Sequence, residues 1–501
     1  MAQGTMAPLR TSTWLDDRLI ARLAMMATLA WLMIWCFWSW GYWEDDSYIH
    51  LAYARSVAQG QGFVFNGALS NGDTSPLWVL ALSLAGSLAP AWVLGGKVLS
   101  LLCMGGALWA FALFSRRLLP ADMPGSRTSA ALLLAMIFVS PFTLHWAYSG
   151  MEALMASGWV VLMSMNLAAG RPSWRQTLLA CLLLGMSPLL RPEFVLMAPV
   201  AIPFLWRHTR AISQNNSSTQ AAVKLLICAL LLVGPLLLWS AYALQAFGYI
   251  MPNTNAAKRA APGVIVPWRL LQLTGMGFPT LLLAGVGLGW AATRPRHSGT
   301  TLAPRPAWPL LAWCGLVLAF YVLNHTHVQT RYLLVLGPGL LIVAWSTLIR
   351  RWGAARVTPW LVLGILGSGT ISLLLLKPLC DNKIAHDQRV EELASLIRQK
   401  VPPQAPIAVY SIGQIGFLIP NPIVDTGGIT QPSATPYLFG PSSDMVAWAR
   451  RQGARYYISG EKPEPDAVLV HHMSVPVGGW FLKPSAYAGT EDINLWLLSA
   501  R

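Results

Sequence analysis

The fold is decided by the stretch MMATLAWLMIWCFWSWG, residues 25–41, which runs directly into YWEDDSYIHLAYARSVAQGQGFVFNG, residues 42–67. The first part is apolar along nearly its whole length, as a helix in the hydrocarbon core of a bilayer must be. The second part begins with three consecutive carboxylates, Glu44, Asp45 and Asp46. Ionisable groups at a membrane edge are costly unless they are paired or have a function. The junction therefore predicts the end of a membrane helix and a candidate site.

The composition extends this interpretation to most of the chain. Of 501 residues, 55% are hydrophobic and 11% are charged, whereas a soluble domain has about 25% charged residues. Further apolar runs predict spans at residues 22–41, 128–146, 152–169, 176–190, 193–206, 222–246, 268–291, 308–323, 331–349 and 359–377. Segment 76–115 has apolar length for two more passes, one of which we expect to be re-entrant or to lie on the membrane surface. We expect an α-helical polytopic membrane protein with about eleven transmembrane helices.

The net charge of +15 does not indicate a nucleic-acid partner. The basic residues cluster in short loops between apolar runs, such as RRLLPADMPGSR, RPSWR and RRWGAAR, as the positive-inside bias predicts. This pattern places the N-terminus in the cytoplasm and the acidic run on the opposite side of the membrane. We therefore expect a multi-pass protein of a bacterial inner membrane.

The composition changes after Leu379. Eleven of the twenty acidic residues lie from Asp381 onward. The segment HDQRVEELASLIRQK has helical periodicity, and APIAVYSIG, NPIVDTGG and ARYYISG are typical of strands. We predict a membrane domain at residues 1–378 and a small α/β domain at residues 379–501 on the periplasmic face.

The acids narrow the search for chemistry, because no Asp or Glu occurs between Glu193 and Asp381. Six carboxylates of the membrane domain are predicted to face outward: Glu44, Asp45, Asp46, Asp73, Glu152 and Glu193. The plainest interpretation is that the run at 44–46 only caps a helix or marks the lipid boundary. The alternative is that one acid has a raised pKa and acts as a general base on a hydroxyl.

Outward-facing cations are predicted on the same side: Arg55, Arg191, Lys258, Arg259, Arg331, His145, His325 and His327. A single Arg at a helix end is more often a snorkelling anchor. Together, however, these groups can hold phosphate by charge-assisted hydrogen bonds. A base and a phosphate-binding set at a bilayer surface indicate transfer from a lipid phosphate.

Several motifs occur together in an order that resembles a known family. They are EDDSYIHLAYARSVAQGQGFVFN…GDTSPLW from residue 44, SGME at 149–152, LLRPE at 189–193, PNTNAAK at 252–258, HVQTRYLLVLGP at 327–338 and VYSIGQIGFLIPNPIVDTGGIT in the tail. The chain resembles GT-C membrane glycosyltransferases over nearly its whole length. It is most similar to the branch of mycobacterial terminal arabinofuranosyltransferases and the pilin arabinosyltransferases of Gram-negative bacteria.

The resemblance implies transfer of a sugar, D-arabinofuranose above all, from a polyprenyl phosphate to an extracytoplasmic glycan or to a protein such as pilin. It implies that Asp45 and Asp46 are catalytic, one as the base. It implies a donor-binding set in which Arg191, Lys258 and Arg331 face the phosphate. The full set is Arg55, Glu152, Arg191, Glu193, Asn253, Lys258, His327 and Arg331. The tail departs from the family pattern at SIG, residues 411–413, where an acid precedes the glycine in relatives.

Other interpretations stay open. A divalent cation, Mg, Mn or Ca, could be held through oxygen by Asp45 and Asp46, and the sequence does not separate it from a direct Lys or Arg partner. The chain could instead be a transporter or flippase for a lipid-linked sugar, or a non-catalytic assembly protein. Within the enzyme interpretation, mannose or another hexose is the alternative to arabinofuranose.

Overall fold

The computed structural model describes residues 13–169, 172–254, 264–292, 305–477 and 489–499. The helices of its first half are α1 Thr13–Trp38, α2 Asp45–Ala58, α3 Pro76–Leu88, α4 Trp92–Leu118, α5 Ser126–Val139, α6 Pro141–Trp146, α7 Ala153–Leu167, α8 Trp174–Leu190, α9 Met197–Gln214 and α10 Ser218–Phe247. Those of the second half are α11 Val266–Gly277, α12 Pro279–Ala292, α13 Trp308–Leu323, α14 Thr330–Trp352, α15 Ala354–Ile371, α16 Lys377–Lys400, α17 Ile412–Leu418 and α18 Ser442–Arg451. The strands are β1 Val64–Phe65, β2 Ala68–Leu69, β3 Ile407–Val409, β4 Ile423–Asp425, β5 Tyr456–Ser459, β6 Val468–Pro476 and β7 Thr490–Leu497.

Five helical segments of the described chain are long and apolar enough to cross a membrane. They are Asp17–Trp38, Trp92–Leu118, Ser218–Phe247, Thr330–Trp352 and Ala354–Lys400. Five shorter apolar helices, α3, α5, α7, α8 and α13, accompany them. The chain thus has the apolar helical bundle that its composition predicts, and the count of about eleven spans stays a prediction.

The segment predicted as one span at 268–291 is broken. Helices α11 and α12 meet at 108° around Phe278, and the pair counts as a sixth span if it is taken as one. Pro279 disfavours helical backbone at the residue before it and has no N–H for the helical ladder, so the bend falls here.

Helix α14 forms the centre of the bundle. In the most apolar 18-residue stretch of α14, 94% of the residues are buried, whereas in that of α10 only 11% are buried. A helix that is apolar all round either lies in a protein core or faces lipid. Helix α14 is the first case, and α10, with exposed Leu226, Leu230 and Leu237, is the second.

One continuous helical segment leads from the bundle into the C-terminal sheet. Helix α15, a single π-helical stretch at Ser372–Leu376 and α16 follow one another without interruption. The predicted domain boundary at 378/379 falls inside this segment, and the division into two domains stays a prediction.

The C-terminal sheet has five strands in the order β4-β3-β5-β7-β6. Strand β3 is parallel to both β4 and β5, and β7 is antiparallel to β5 and β6. The three strands and the helix predicted in this region are confirmed. Strands β6 and β7 were not predicted, and β6 lacks a regular apolar alternation in its sequence.

The SIGQIGFLIP segment contains a short helix. Helix α17 lies between β3 and β4. Parallel strands need a crossover connection, and the short helix supplies it.

The loop between α2 and α3 forms a small hairpin that touches the C-terminal sheet. Asn66 and Gly67 have φ angles of 46° and 83°, the left-handed backbone that an Asn-Gly hairpin turn requires. The Asn66 side chain donates to the Asn421 carbonyl at 3.2 Å, and the Ser70 hydroxyl donates to the Thr430 carbonyl at 3.0 Å. These contacts hold the loop that carries Asp73.

Candidate active site

Helix α2 begins inside the acidic run. Glu44 has extended backbone before the helix, and Asp45 and Asp46 occupy the first turn, where the helix dipole favours negative charge. Consecutive residues of a helix project about 100° apart, because there are 3.6 residues per turn. Asp45 and Asp46 therefore point in different directions, and Glu44, which precedes the helix, has a third set of neighbours.

Asp45 faces the C-terminal sheet. Its carboxylate accepts hydrogen bonds from the backbone N–H groups of Gly413 at 3.1 Å and Gln414 at 2.8 Å, at the start of α17. A Cβ at position 413 would lie 1.9 Å from the Asp45 carbonyl oxygen, so only glycine fits this approach. Burial raises the pKa of Asp45 to about 6, although the hydrogen bond from Gln414 lowers it.

Asp46 faces the membrane bundle. Its Oδ2 atom lies 2.6 Å from Nη1 of Arg331, near the start of α14. Arg331 is 4% exposed and lies beside the rings of Trp146 and Tyr332. The Asp46 side chain is 36% exposed, so solvent reaches part of this carboxylate.

Glu44 makes a third set of contacts. It accepts hydrogen bonds from the Tyr42 hydroxyl and from Nε2 of His145, the latter at 3.1 Å. Burial raises the pKa of Glu44, but His145, Lys383 and Tyr42 together hold it below the usual range.

A second buried network joins the SGME and LLRPE motifs. Arg191 Nη1 lies 2.6 Å from Glu152 Oε1, and Arg191 Nε lies 2.6 Å from Glu193 Oε1. The Tyr321 hydroxyl donates to the same Glu193 oxygen at 3.2 Å. Burial favours loss of the Arg191 proton, but Glu193 and then Glu152 raise its pKa above the usual value.

His50 connects the acidic helix to this network. Its Nδ1 atom lies 2.5 Å from Asp73 Oδ2, and its Nε2 atom lies 3.7 Å from Glu152 Oε2. Asp73 is held in turn by the Ser75 backbone N–H at 2.6 Å. Burial would lower the pKa of His50, but Asp73, Glu152 and Asp46 together raise it.

These groups share one cavity of about 310 Å³. Its charged and titratable lining is Asp46, His50, Asp73, Glu152, Arg191, Glu193 and Arg331. Its apolar and aromatic lining includes Ile49, Met151, Val195, Leu196, Met251, Phe320, Tyr321, Tyr332 and Ile429. The volume is at the lower end of the range of small-molecule sites. Ile429 comes from the DTGG loop of the C-terminal sheet, so both parts of the chain contribute to the wall.

The structure brings five of the ten predicted site residues into the cavity: Asp46, Glu152, Arg191, Glu193 and Arg331. Asp45 lies outside it, on the contact with α17. Arg55 also faces α17, where its guanidinium lies 4.5 Å from the centre of the Phe417 ring. Lys258 lies outside the described residues.

Asn253 and His327 flank the cavity lining without being part of it. The Asn253 backbone N–H donates to the Asn71 carbonyl at 3.0 Å, and its neighbours Pro252 and Thr254 line the cavity. His327 follows the lining residue Thr326, and burial lowers its pKa.

His50 and Asp73 were not among the predicted site residues. The signal for His50 was present, since residues four apart on a helix share a face and His50 follows Asp46 by four. Lys97 in α4 was not predicted either; it is 4% exposed and donates to the Tyr42 carbonyl at 2.8 Å. No local pattern predicts the partner of Lys97, because the contact joins separate helices.

The acidic run does not form one donor set for a divalent cation. Each of its three acids has a different neighbour, as described above. Within the described ranges, no group of three or more His, Cys, Asp or Glu residues is arranged to hold a metal ion. A divalent cation stays a prediction from the sequence.

The arrangement of helices is similar to that of solved membrane glycosyltransferases. ArnT from Cupriavidus metallidurans, bound to undecaprenyl phosphate, has a TM-score of 0.56 at 13% identity, covering 95% of this chain and 98% of ArnT. The Archaeoglobus fulgidus oligosaccharyltransferase in its apo form has a TM-score of 0.55 at 12% identity, covering 89% of this chain and 70% of that protein. The arabinofuranosyltransferase AftD from Mycobacteria has a TM-score of 0.50 at 14% identity, covering 97% of this chain and 40% of AftD.

The chain therefore has the fold of GT-C membrane glycosyltransferases, and the resemblance read from its motifs is confirmed at the level of the fold. A family model described as a domain of unknown function, DUF8728, matches residues 382–496. A comparison with curated proteins finds no match.

Proposed function

We propose that this protein is a glycosyltransferase that moves a sugar from a polyprenyl phosphate to an extracytoplasmic acceptor. One observation carries the proposal: two buried guanidinium groups, Arg191 and Arg331, line the same cavity as the partly exposed carboxylate of Asp46. A phosphate group and an acceptor hydroxyl need this combination. The similarity to ArnT, whose structure contains undecaprenyl phosphate, supports a lipid phosphate as the donor class.

The proposed reaction needs one base and one site for negative charge. The acceptor oxygen forms a bond to the anomeric carbon while the bond from that carbon to the phosphate oxygen breaks. The electron pair of the broken bond stays on the leaving polyprenyl phosphate, whose charge Arg191 and Arg331 stabilise. The hydroxyl proton passes to the Asp46 carboxylate.

Asp46 suits the base better than Asp45 does. Both oxygens of Asp45 accept backbone N–H groups of α17, and Asp45 does not line the cavity. Asp46 lines it, and its partner Arg331 has further N–H groups that can bind phosphate at the same time. We assign Asp45 to the contact with the C-terminal sheet.

The finer assignments rest on the sequence motifs. They favour D-arabinofuranose as the sugar and a glycan or a protein such as pilin as the acceptor. The basic loops favour a bacterial inner membrane with the C-terminal sheet in the periplasm.

The test uses purified protein with synthetic polyprenyl-phosphate arabinofuranose, mannose and glucose, and follows the released lipid phosphate and the product by mass spectrometry. Transfer from one donor that Asp46→Asn abolishes supports the proposal. Asp381→Asn, at an exposed pair with Lys377, is the matched control and should keep full activity. Lipid binding without turnover of any donor would instead favour a transporter.

A further inference from the structure

The cavity wall contains a carboxylate oxygen without a hydrogen bond. Glu152 is 3% exposed, and its Oε1 atom is taken by Arg191 at 2.6 Å. Its Oε2 atom is buried and has no hydrogen-bond partner among the described residues. A buried acceptor without a partner costs free energy, so such an atom in a cavity indicates a place for a ligand donor.

Nε2 of His50 lies 3.7 Å from this oxygen. That distance is too long for a hydrogen bond but leaves room for one oxygen about 2.8 Å from each atom. The imidazole is 6% exposed and is oriented by Asp73, which lies 2.5 Å from Nδ1. His50 and Glu152 both line the cavity.

We infer that His50 and Glu152 form a clamp for one hydroxyl of the donor sugar. The hydroxyl donates its hydrogen to Glu152 Oε2 and accepts a hydrogen bond from the Nε2–H of His50. The inference rests on the proposed function and adds a specificity-determining residue, His50, to it.

The position of the clamp identifies the hydroxyl. Glu152, one of the two clamp residues, forms an ion pair with Arg191, which is one of the two cations assigned to the phosphate. The phosphate is attached to the anomeric carbon, and the hydroxyl nearest to it is on the adjacent carbon, C2. Hydrogen bonds to the 2-hydroxyl strengthen in oxocarbenium-like transition states, so the clamp also favours the reaction itself.

The experiment compares kcat/KM for the donor that the protein transfers with kcat/KM for its 2-deoxy and 3-deoxy analogues. We expect wild type to lose about 100-fold or more on the 2-deoxy donor, since a site built to bind a hydroxyl rejects an analogue without it. Intrinsic reactivity cannot produce this loss, because removing an electron-withdrawing group beside the anomeric carbon eases formation of the oxocarbenium ion. The 3-deoxy donor should lose much less.

A variant separates the clamp from general damage to the site. His50→Leu should lower kcat/KM for the parent donor but leave a 2-deoxy penalty below about 10-fold, because removing both partners of one contact is not additive. His472→Leu is the control: this histidine bonds Asn494 in the C-terminal sheet and lies outside the cavity, so the full penalty should remain.

The outcomes are distinguishable. Transfer from the parent donor with no 2-deoxy penalty in wild type overturns the clamp alone, even if His50→Leu fails to fold. A penalty confined to the 3-deoxy donor, or one equal in His50→Leu and wild type, also overturns it. Absence of transfer from every parent donor overturns the proposed function and the clamp with it.

Discussion

Asp46 and Arg331 form an ion pair of 2.6 Å between the first turn of α2 and the first turn of α14. The two residues are far apart in the chain, and their contact brings the acidic run to the most buried of the five long apolar segments. Asp45, one residue earlier, makes its contacts with the C-terminal sheet instead. Two neighbouring carboxylates thus separate into a cavity residue and a docking residue, and the first prediction follows from that division.

Asp46→Asn and Asp45→Asn should fail in different ways. Asp46→Asn should lower kcat by about 10²–10⁴-fold, the usual contribution of a general base. Asp45→Asn should keep measurable transfer but lower the unfolding temperature and speed proteolysis of the C-terminal sheet. Turnover assays and thermal melts of both variants check this, and equal losses of kcat without a stability change would contradict it.

Arg191 should matter more for stability than Arg331. Arg191→Met leaves two buried carboxylates, Glu152 and Glu193, without their cation, and breaking a buried pair costs about 3–5 kcal/mol. Arg331→Met removes the cation beside one carboxylate, Asp46, which is already partly exposed to water. We therefore expect a larger fall in melting temperature for Arg191→Met, and a loss of polyprenyl-phosphate binding in both. A larger loss of stability in Arg331→Met than in Arg191→Met would contradict the greater structural role of Arg191.

The stability of the contact at Asp45 should depend on pH. Burial raises its pKa from 3.8 to about 6 in the folded protein, so the folded state takes up the proton first as the pH falls. The stabilisation of the folded state that comes from protonated Asp45 is fully present below pH 3.8 and is lost as the pH rises through about 6. Melting temperatures of wild type and Asp45→Asn between pH 4 and 8 check this, because Asn does not titrate. The melting temperature of wild type should fall relative to that of Asp45→Asn as the pH rises. The difference between the two should then stay constant above about pH 7.

Gly413→Ala should disrupt the contact between α17 and α2. Its Cβ would lie 1.9 Å from the Asp45 carbonyl oxygen, which is backbone and cannot move away easily. We expect a destabilisation of about 1–3 kcal/mol or more, as for other overpacked sites. Gly105→Ala, in helix α4 with nothing near the added methyl group, is the matched control and should be neutral or stabilising. Equal melting temperatures of the two variants would argue against the contact.

Lys97 should act by positioning the turn before α2. Its ammonium group holds the Tyr42 carbonyl and lies 5.1 Å from the rings of Trp40, Trp43 and Tyr148. Lys97→Met should lower kcat by about 10-fold or more at nearly unchanged KM, since small displacements of catalytic groups are costly. Lys224→Met, at a site bonded to Asn216, provides the comparison and should retain the wild-type kcat. A change in KM alone would count against the positioning role.

The sequence was sufficient for the class of fold. Apolar runs with few charges can be buried only in lipid or in a protein core, so their number and length predict the helical bundle. Strand β3 is wholly apolar, and strands β4 and β5 are apolar up to their last residues, Asp425 and Ser459. These three strands were predicted, whereas β6, which lacks a regular apolar pattern, was not. The Asn66-Gly67 turn is local chemistry and follows from the residue types alone.

The membership of the site was decided by packing. Helical periodicity predicts that Asp45 and Asp46 face different ways, but not which of them meets the cavity. Arg55 is as plausible a phosphate ligand in the sequence as Arg191, yet it lies on Phe417. His50 acquires its role from Asp73 and Glu152, which reach it from two separate loops. Local patterns determine which residues share a face, because the helix repeat is a property of the backbone. Which faces then meet depends on contacts between residues far apart in the chain, and only the tertiary structure contains that information.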